Sequence, residues 1–387
     1  MISIVMVKKE NILFLITGIL SIALSLLLGA CVEPYDFRIE NQKPNLVVEG
    51  FISNVSYNET LEYPSDGRHF AVKLRYTSDV INIRDEVISD AQVQLIDNDG
   101  SSWSYVVTQE EEKGPIYLLL DPTFYAENER EYKLKICLPE GDTFESAWVS
   151  LPNIESPEMG DVGFVEDVVD KYVYYVGEQV IQPVSGIVAT LDLPENRNSE
   201  PLYYRWTYDP IWIYKAPLPL TSPSAVLECW AKNPYYLSEY ELQEDFTGGY
   251  QKELFFMSTY GNNRIYEKLS VLITQQILNQ DYYYFWKDIK EKASGNAFFD
   301  KQPYNLPTNF SAVNNDNKVS GYFDVVYEQA KRWYFDKEEL SYQVENNLAE
   351  NCIKFAGPDG PDPQCFNCLE YSGGVATAEK PSWWDVE

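Results

Sequence analysis

Residues 91–107, AQVQLIDNDGSSWSYVV, set two runs of alternating apolar residues on either side of Asp97-Asn98-Asp99-Gly100. Ala91, Val93 and Leu95 alternate with polar neighbours, and so do Trp103, Tyr105 and Val107. A period of two places each set on one face of a half-buried strand. The Asn/Asp/Gly cluster between them tolerates positive backbone angles, so the predicted unit is a β-hairpin. A calcium-binding loop would need a longer ligand array ending in Glu at its twelfth position. Counted from Asp97 that position is Thr108, which leaves the turn as the reading.

The same pattern continues outward. Leu46, Val48 and Ile52 alternate in one strand, and Phe70, Val72, Leu74 and Tyr76 in the next, with His69, Lys73 and Arg75 on the opposite face. Tyr132, Leu134, Ile136 and Leu138 form another, and Gly141-Asp142 turns the chain into residues 144–149. About seven short strands in roughly 105 residues, with regular turn signals, predict an immunoglobulin-like β-sandwich over residues 45–152. Pro152 and Pro157 mark a linker. Residues 153–387 read as a second β-rich domain, with strand-like stretches at 184–193, 203–208, 253–260, 264–278, 319–326 and 331–335. One amphipathic helix is predicted near residues 280–293. Asn279 stands at its N-cap, and Tyr282, Phe285, Trp286, Ile289 and Ala293 share one face. Lys287, Lys290 and Lys292 gather toward its end, where cations suit the helix dipole. Its wide apolar stripe predicts packing against a sheet. The fold class is therefore mostly β: an N-terminal immunoglobulin-like sandwich, then a β-rich domain with an inserted helix and a cysteine-pinned C-terminal tail.

The N-terminus carries a different signal. Lys8 and Lys9 precede an apolar run over residues 12–28 that closes on Leu28-Gly29-Ala30-Cys31. This is the pattern of a secretory signal ending in a lipobox, with cleavage before Cys31 and residues 1–30 removed. Acyl chains on Cys31 would each supply about 0.8 kcal/mol per buried methylene, enough with several chains for durable anchoring to a membrane. Retention of residues 12–28 as a single transmembrane anchor is the alternative, since about 17 apolar residues reach the lower limit for a span. The small pair before Cys31 and the lack of a basic stop-transfer cluster after it favour cleavage. Residues 31–44 lack apolar periodicity and read as a tether.

Charge narrows the partners. The chain of 387 residues has a net charge of −30, which removal of Lys8, Lys9 and Glu10 deepens by one. Such a surface is repelled by phosphate backbones and anionic lipid, so nucleic acid is excluded as a partner. Solvated acidic surface is the ordinary reading; divalent-cation bridging or attraction to a basic partner face is the functional one. Aromatic residues make up 15% of the chain, including 30 Tyr and 9 Trp. Most fall in alternating patterns, which suits strand packing ahead of a carbohydrate-stacking surface.

Beyond Cys31, five cysteines remain. In an oxidising envelope Cys229, Cys352, Cys365 and Cys368 would form two disulfides, with three possible connectivities that sequence leaves open. Cys365-Phe366-Asn367-Cys368 also has the spacing of a redox pair or half a zinc site, but there is no second CxxC and no Cys-Pro-His-Cys surrounding. Cys137 is the odd one, on the same strand parity as Lys133 and Lys135. His69 is the single histidine, which rules out His-based zinc clusters and HExxH sites. GxSxG, P-loop and GxGxxG motifs are absent. Carboxylate pairs capable of glycoside hydrolysis would occur by chance among 60 acidic residues. No enzymatic activity, cofactor or metal site is expected.

The opening Cys31-Val32-Glu33-Pro34-Tyr35-Asp36 followed by Leu46-Val47-Val48-Glu49-Gly50 resembles the start of Bacteroidota lipoproteins of domain of unknown function family 4249. Tyr203-Tyr204-Arg205-Trp206, Cys229-Trp230, residues 270–275 leading to Tyr284-Phe285-Trp286, and Val319-Ser320-Gly321-Tyr322-Phe323 follow in the family's order. So do Cys365-Phe366-Asn367-Cys368 and Pro381-Ser382-Trp383-Trp384. The resemblance implies an outer-membrane lipoprotein encoded beside a TonB-dependent receptor, and it carries no catalytic residues. Glu33 and Asp36 resemble a weak surface-export signal, so cell-surface and periplasm-facing placements both stay open. The expected function is a non-enzymatic binding or accessory role in substrate capture and import, with a small-molecule, glycan or peptide ligand. A structural or adhesive surface protein is the alternative, and a glycoside hydrolase comes behind it. The surfaces near residues 203–212 and the tail are the expected contact regions.

Overall fold

The computed structural model describes residues 45–77, 87–110, 114–175, 177–218, 225–293, 307–358 and 360–384. The expected signal segment 1–30, Cys31 and the rest of the 31–44 tether lie outside the described residues. No helix among the described residues is long and apolar enough to cross a membrane.

The first region supplies β1 (Leu46–Ser53), α1 (Tyr57–Thr60), β2 (Phe70–Tyr76), β3 (Gln92–Asp97), β4 (Ser102–Ser104), β5 (Val106–Glu110), β6 (Gly114–Leu119), β7 (Tyr132–Cys137) and β8 (Thr143–Ser146). Then come β9 (Val162–Tyr175), β10 (Glu178–Leu193), β11 (Leu202–Lys215), β12 (Glu228–Lys232), β13 (Glu241–Asp245), β14 (Tyr250–Ser258) and β15 (Lys268–Ile277). The chain ends with α2 (Gln280–Ala293), β16 (Phe310–Ala312), β17 (Val319–Asp336), α3 (Leu348–Lys354) and β18 (Val375–Thr377). The fold is mostly β. A ten-stranded sheet runs β18-β12-β11-β15-β17-β1-β2-β6-β5, with β13 also paired to β11, and two smaller sheets run β16-β8-β7-β3-β4 and β14-β10-β9.

The spine is β17, 18 residues long. Its first part pairs in parallel with β1, from Leu46↔Val319 to Ser53↔Val326. Its second part pairs antiparallel with β15, from Ile277↔Tyr327 to Lys268↔Asp336. Alternation then sends Phe323 and Val325 into one core, with Val48, Leu74, Leu95, Leu134 and Phe144. Trp333 and Phe335, of the same parity, enter another core with Ile187, Leu191, Trp206, Trp212 and Ile273. Two sandwiches thus share one long sheet, each closed by a smaller sheet, and each large side chain buried contributes about 1.5–3 kcal/mol. The sheet crosses the expected division at residue 152, and the first core is completed by Phe310, Phe323 and Val325 from far along the chain. Gly321 makes the β1 junction possible. Its φ is +100°, and a Cβ there would lie 1.8 Å from the Val48 carbonyl oxygen.

Three expectations are corrected. The strand expected through Trp103, Tyr105 and Val107 is two strands: β4 pairs with β3 in one sheet and β5 with β6 in another. Tyr105, buried in the core between those sheets, is where the chain changes layer. The stretches expected separately at 319–326 and 331–335 form a single strand; buried residues on both faces around Val326, Glu328 and Ala330 erase the period-two signal. A long strand, β9, occupies residues that the sequence pattern left unassigned.

The helix forms where its periodicity places it. Tyr282, Phe285 and Trp286 of α2 pack with Val326 and Tyr322 on the outer face of β17. The Asn279 side-chain amide donates to the Ser150 carbonyl at 2.9 Å and to Asp324 Oδ1 at 2.9 Å. Its amide group thereby ties the start of the helix to the sheet.

Candidate functional site

Strand register orders the molecule from one end to the other. The described chain begins at Asn45, immediately before β1, whose first residue pairs with Val319. At the other end of β17, Asp336 pairs with Lys268. Eighteen residues at about 3.3 Å each separate these ends by roughly 60 Å. The far end collects the turn Asn263–Ile265 that precedes β15, the segment after β17 that carries α3, and the tail from residue 360.

Two disulfides fasten that end. Cys229 pairs with Cys368 and Cys352 with Cys365. Cys365 and Cys368 each bond elsewhere, so the CxxC pair is structural here. Around them Tyr266 Oη bonds Asn347 Oδ1 at 2.9 Å, Tyr371 Oη bonds Asn263 Oδ1 at 3.1 Å, and Tyr214 Oη donates to the Gln364 carbonyl at 3.1 Å. The Arg264 guanidinium lies 4.2 Å over the Tyr236 ring and 5.2 Å over Trp212. A cavity of about 180 Å³ opens between Tyr214, Asn263, Asn351, Phe355 and Gln364. Large apolar side chains stand out from this fastened scaffold: Tyr260 is 85% exposed, Phe355 74% and Ile353 66%. Exposed aromatics on loops held by cross-links fit a binding surface, because a rigid support lowers the entropy cost of contact.

A second concavity lies on the outer face of the long sheet. It holds about 520 Å³ between Glu62, Tyr63, Lys268, Lys331, Arg332 and Tyr334. Its cations all have protein partners: the Lys268 ammonium lies 5.1 Å over the Tyr334 ring. Lys331 pairs with Asp161 at 2.9 Å. Arg332 stacks 3.8 Å over Trp383, donates to Ser270 Oγ at 3.1 Å and donates through Nε to the Pro64 carbonyl. Burial lowers the Arg332 pKa to about 10, which still leaves it charged at neutral pH. These bonds pin the loop around Pro64 and the Trp383 segment to the sheet.

Beneath α2, a polar ladder crosses neighbouring strands in register. Arg205 Nη1 donates to Gln276 Oε1 at 3.2 Å, Gln276 Nε2 donates to Glu328 Oε2 at 3.1 Å, and Glu328 Oε1 accepts from Arg68 Nη2 at 2.5 Å. Arg205 lies 3.8 Å over the Trp286 ring, and its burial lowers its pKa. Asp324 is the neighbouring acid, its carboxyl pushed up to about 7 by burial, with opposing hydrogen bonds from Val325 and Asn279. Such a shift would suit acid–base chemistry. Asp324 is only 1% exposed and packed under α2, so its role is structural. Among the described residues no three His, Cys, Asp or Glu side chains converge as a metal site.

The remaining sequence candidates fall as follows. His69 stacks on Tyr57 at 4.1 Å just before β2, with a buried Nδ1, so it is not a solvated residue on an open strand face. Tyr204, Trp206 and Trp212 are fully buried, which corrects the expectation of a contact surface over residues 203–212: their alternation points them into the second core. Cys137 is a free, half-buried thiol 3.8 Å from Thr143 Oγ1. Asp97 Oδ1 accepts from the backbone N–H groups of Asp99 and Ser101, as an Asn/Asp turn requires. The exposed trio Tyr260, Phe355 and Ile353 was missed. Tyr260 and Phe355 are isolated in polar loops and Ile353 sits in the seven-residue α3, too short to give a periodic signal, so only the nearby cysteines pointed toward them.

Residues 32–332 match the profile of a family described as "Domain of unknown function (DUF4249)". The match starts just after Cys31 and stops before Cys352, Cys365 and Cys368. No curated protein matches the chain.

Proposed function

The chain belongs to the DUF4249 family, and from that premise we propose that it is a non-enzymatic binding or accessory lipoprotein of the outer membrane, held by acyl chains on Cys31. It works with a TonB-dependent receptor in substrate capture and import. Its chemistry is recognition. The observation that carries the reading is the separation, along β17, of the end where the tether joins from the end that bears Tyr260, Phe355 and Ile353. Those side chains are exposed at the end of β17 opposite Asn45, where a ligand or partner can meet them.

The anchoring half is tested by mass spectrometry of the N-terminal peptide of protein extracted from membranes by detergent phase partition. An N-terminus at Cys31 carrying a diacylglyceryl group is expected. Recovery of intact residues 1–30 would overturn the anchor. The binding half is tested on the purified protein, where release of reducing ends from a polysaccharide panel would replace recognition by hydrolysis.

A further inference from the structure

An exposed apolar face in the second region belongs to the β9–β10 ribbon. β9 and β10 pair continuously from Val162↔Leu191 to Tyr175↔Glu178. The third strand, β14, accompanies β10 only from Gly186↔Ser258 to Leu193↔Tyr250. Past Gly186 the ribbon is therefore two strands alone among the described residues, over roughly 25 Å at 3.3 Å per residue. Gly186 pairs with Ser258, just before the turn that leads to β15, so the ribbon projects from the same end as Tyr260 and α3. Its root is fixed there: the Glu166 carboxylate accepts from both the backbone N–H and the hydroxyl of Ser341.

The two faces of the free part differ. On one, Val169 sits directly opposite Val184 and Val173 opposite Val180, each half-buried, and these cross-strand pairs zip the ribbon. The other continues the face that is buried further down at Ile187, Ala189 and Leu191. There it presents Val168 at 58% exposure, Tyr172 at 70%, Ile181 at 59% and Tyr174 at 81%. A two-stranded ribbon is marginal in water, and an aromatic-aliphatic face extended past its own core is the form of an interface awaiting its partner.

We propose that this ribbon is a docking arm for a protein partner whose surface offers an apolar groove rimmed by Lys and Arg. Charge selects that occupant. The ribbon carries Glu166 and Asp167 at its root and Asp170 and Glu178 in its free part, against Lys171, whose ammonium lies 4.3 Å over the Phe256 ring. A second copy would set acid against acid, and an anionic lipid surface would repel the arm. A basic rim neutralises the acids while the groove takes Tyr172, Tyr174 and Ile181. The inference holds whether or not Cys31 is acylated and whether or not the partner is a receptor.

The test is site-specific photocrosslinking of the full-length protein in its native membranes, with p-benzoylphenylalanine in place of Tyr174 and, as control, in place of Tyr235. Tyr235 is 86% exposed and lies outside the arm. The expected result is one partner protein crosslinked from position 174 and not from 235, at an apolar segment flanked by Lys or Arg. The yield should fall at least tenfold in Tyr172→Glu/Ile181→Glu and several-fold at high salt. Both substituted side chains are exposed, so an unchanged Tm separates lost docking from lost folding. A crosslink to a second copy, to lipid or to a segment without basic flanks would overturn the proposal. So would a yield no higher than the control.

Discussion

Asn279 Nδ2 donates a 2.9 Å hydrogen bond to Asp324 Oδ1, joining the start of α2 to the middle of β17. The acceptor is a carboxyl that burial pushes up to about 7 from its ordinary 3.8. Between those two values the folded chain holds a proton that the unfolded chain has released, so stability falls as pH rises through this window. The contribution is fully present below about pH 4 and lost above about pH 7. Asp324→Asn stays neutral throughout. It is expected to be more stable than the wild type by on the order of 4 kcal/mol at pH 8 and to match it near pH 4. Urea midpoints across that range measure the difference, and a constant offset would refute the assignment.

Arg68 is the only salt-bridge partner of Glu328 among the described residues, and Glu328 is 2% exposed while Arg68 is 36% exposed. Arg68→Ala leaves a buried carboxylate without its cation, at an expected cost of about 3 kcal/mol. Removing both charges with Arg68→Met/Glu328→Leu should recover most of it, because breaking such a pair costs more than replacing it. Chemical denaturation of the two variants reads the contrast.

Gly321→Ala puts a Cβ against the Val48 carbonyl at a positive φ. The β1–β17 junction must open or shift, with a loss of about 2–4 kcal/mol. Hydrogen exchange localises the effect: β1 and the first half of β17 should lose protection before β15 does.

The disulfides differ in span. Cys229–Cys368 links residues 139 apart and Cys352–Cys365 residues 13 apart. By loop entropy the first contributes about 4–5 kcal/mol and the second about 3 kcal/mol. Cys368→Ala should therefore lower Tm more than Cys352→Ala, and also open the tail to protease. Non-reducing peptide maps check the pairing directly; a Cys365–Cys368 peptide would contradict it.

What could be read beforehand followed from local pattern. The turn at Asp97-Asn98-Asp99-Gly100 and the helix with Tyr282, Phe285 and Trp286 on one face announce themselves through residues a few positions apart. The pairing of Leu46 with Val319 does not, because sequence separation carries no periodicity and Gly321 alone hints at a close approach. The unity of β17 was hidden for another reason. Helix α2 and the polar ladder cover its outer face, so Val326 and Glu328 are as buried as Phe323 and Val325. The aromatics of residues 204–212 misled because composition does not tell a core tryptophan from a surface one. Tyr172 and Tyr174 went unnoticed because Glu166, Asp167, Asp170 and Lys171 interrupt the apolar residues of 162–175, which leaves no regular alternation to read.

The central claim, a lipid-tethered protein of the outer membrane that acts by binding alongside a receptor, is tested most directly by isolating the full-length protein from the membranes of its native cells. Every co-purifying protein is then quantified by mass spectrometry. The expected result is one TonB-dependent receptor in near-equal amount. Recovery of the protein alone, under detergent mild enough to preserve other outer-membrane complexes, would contradict it.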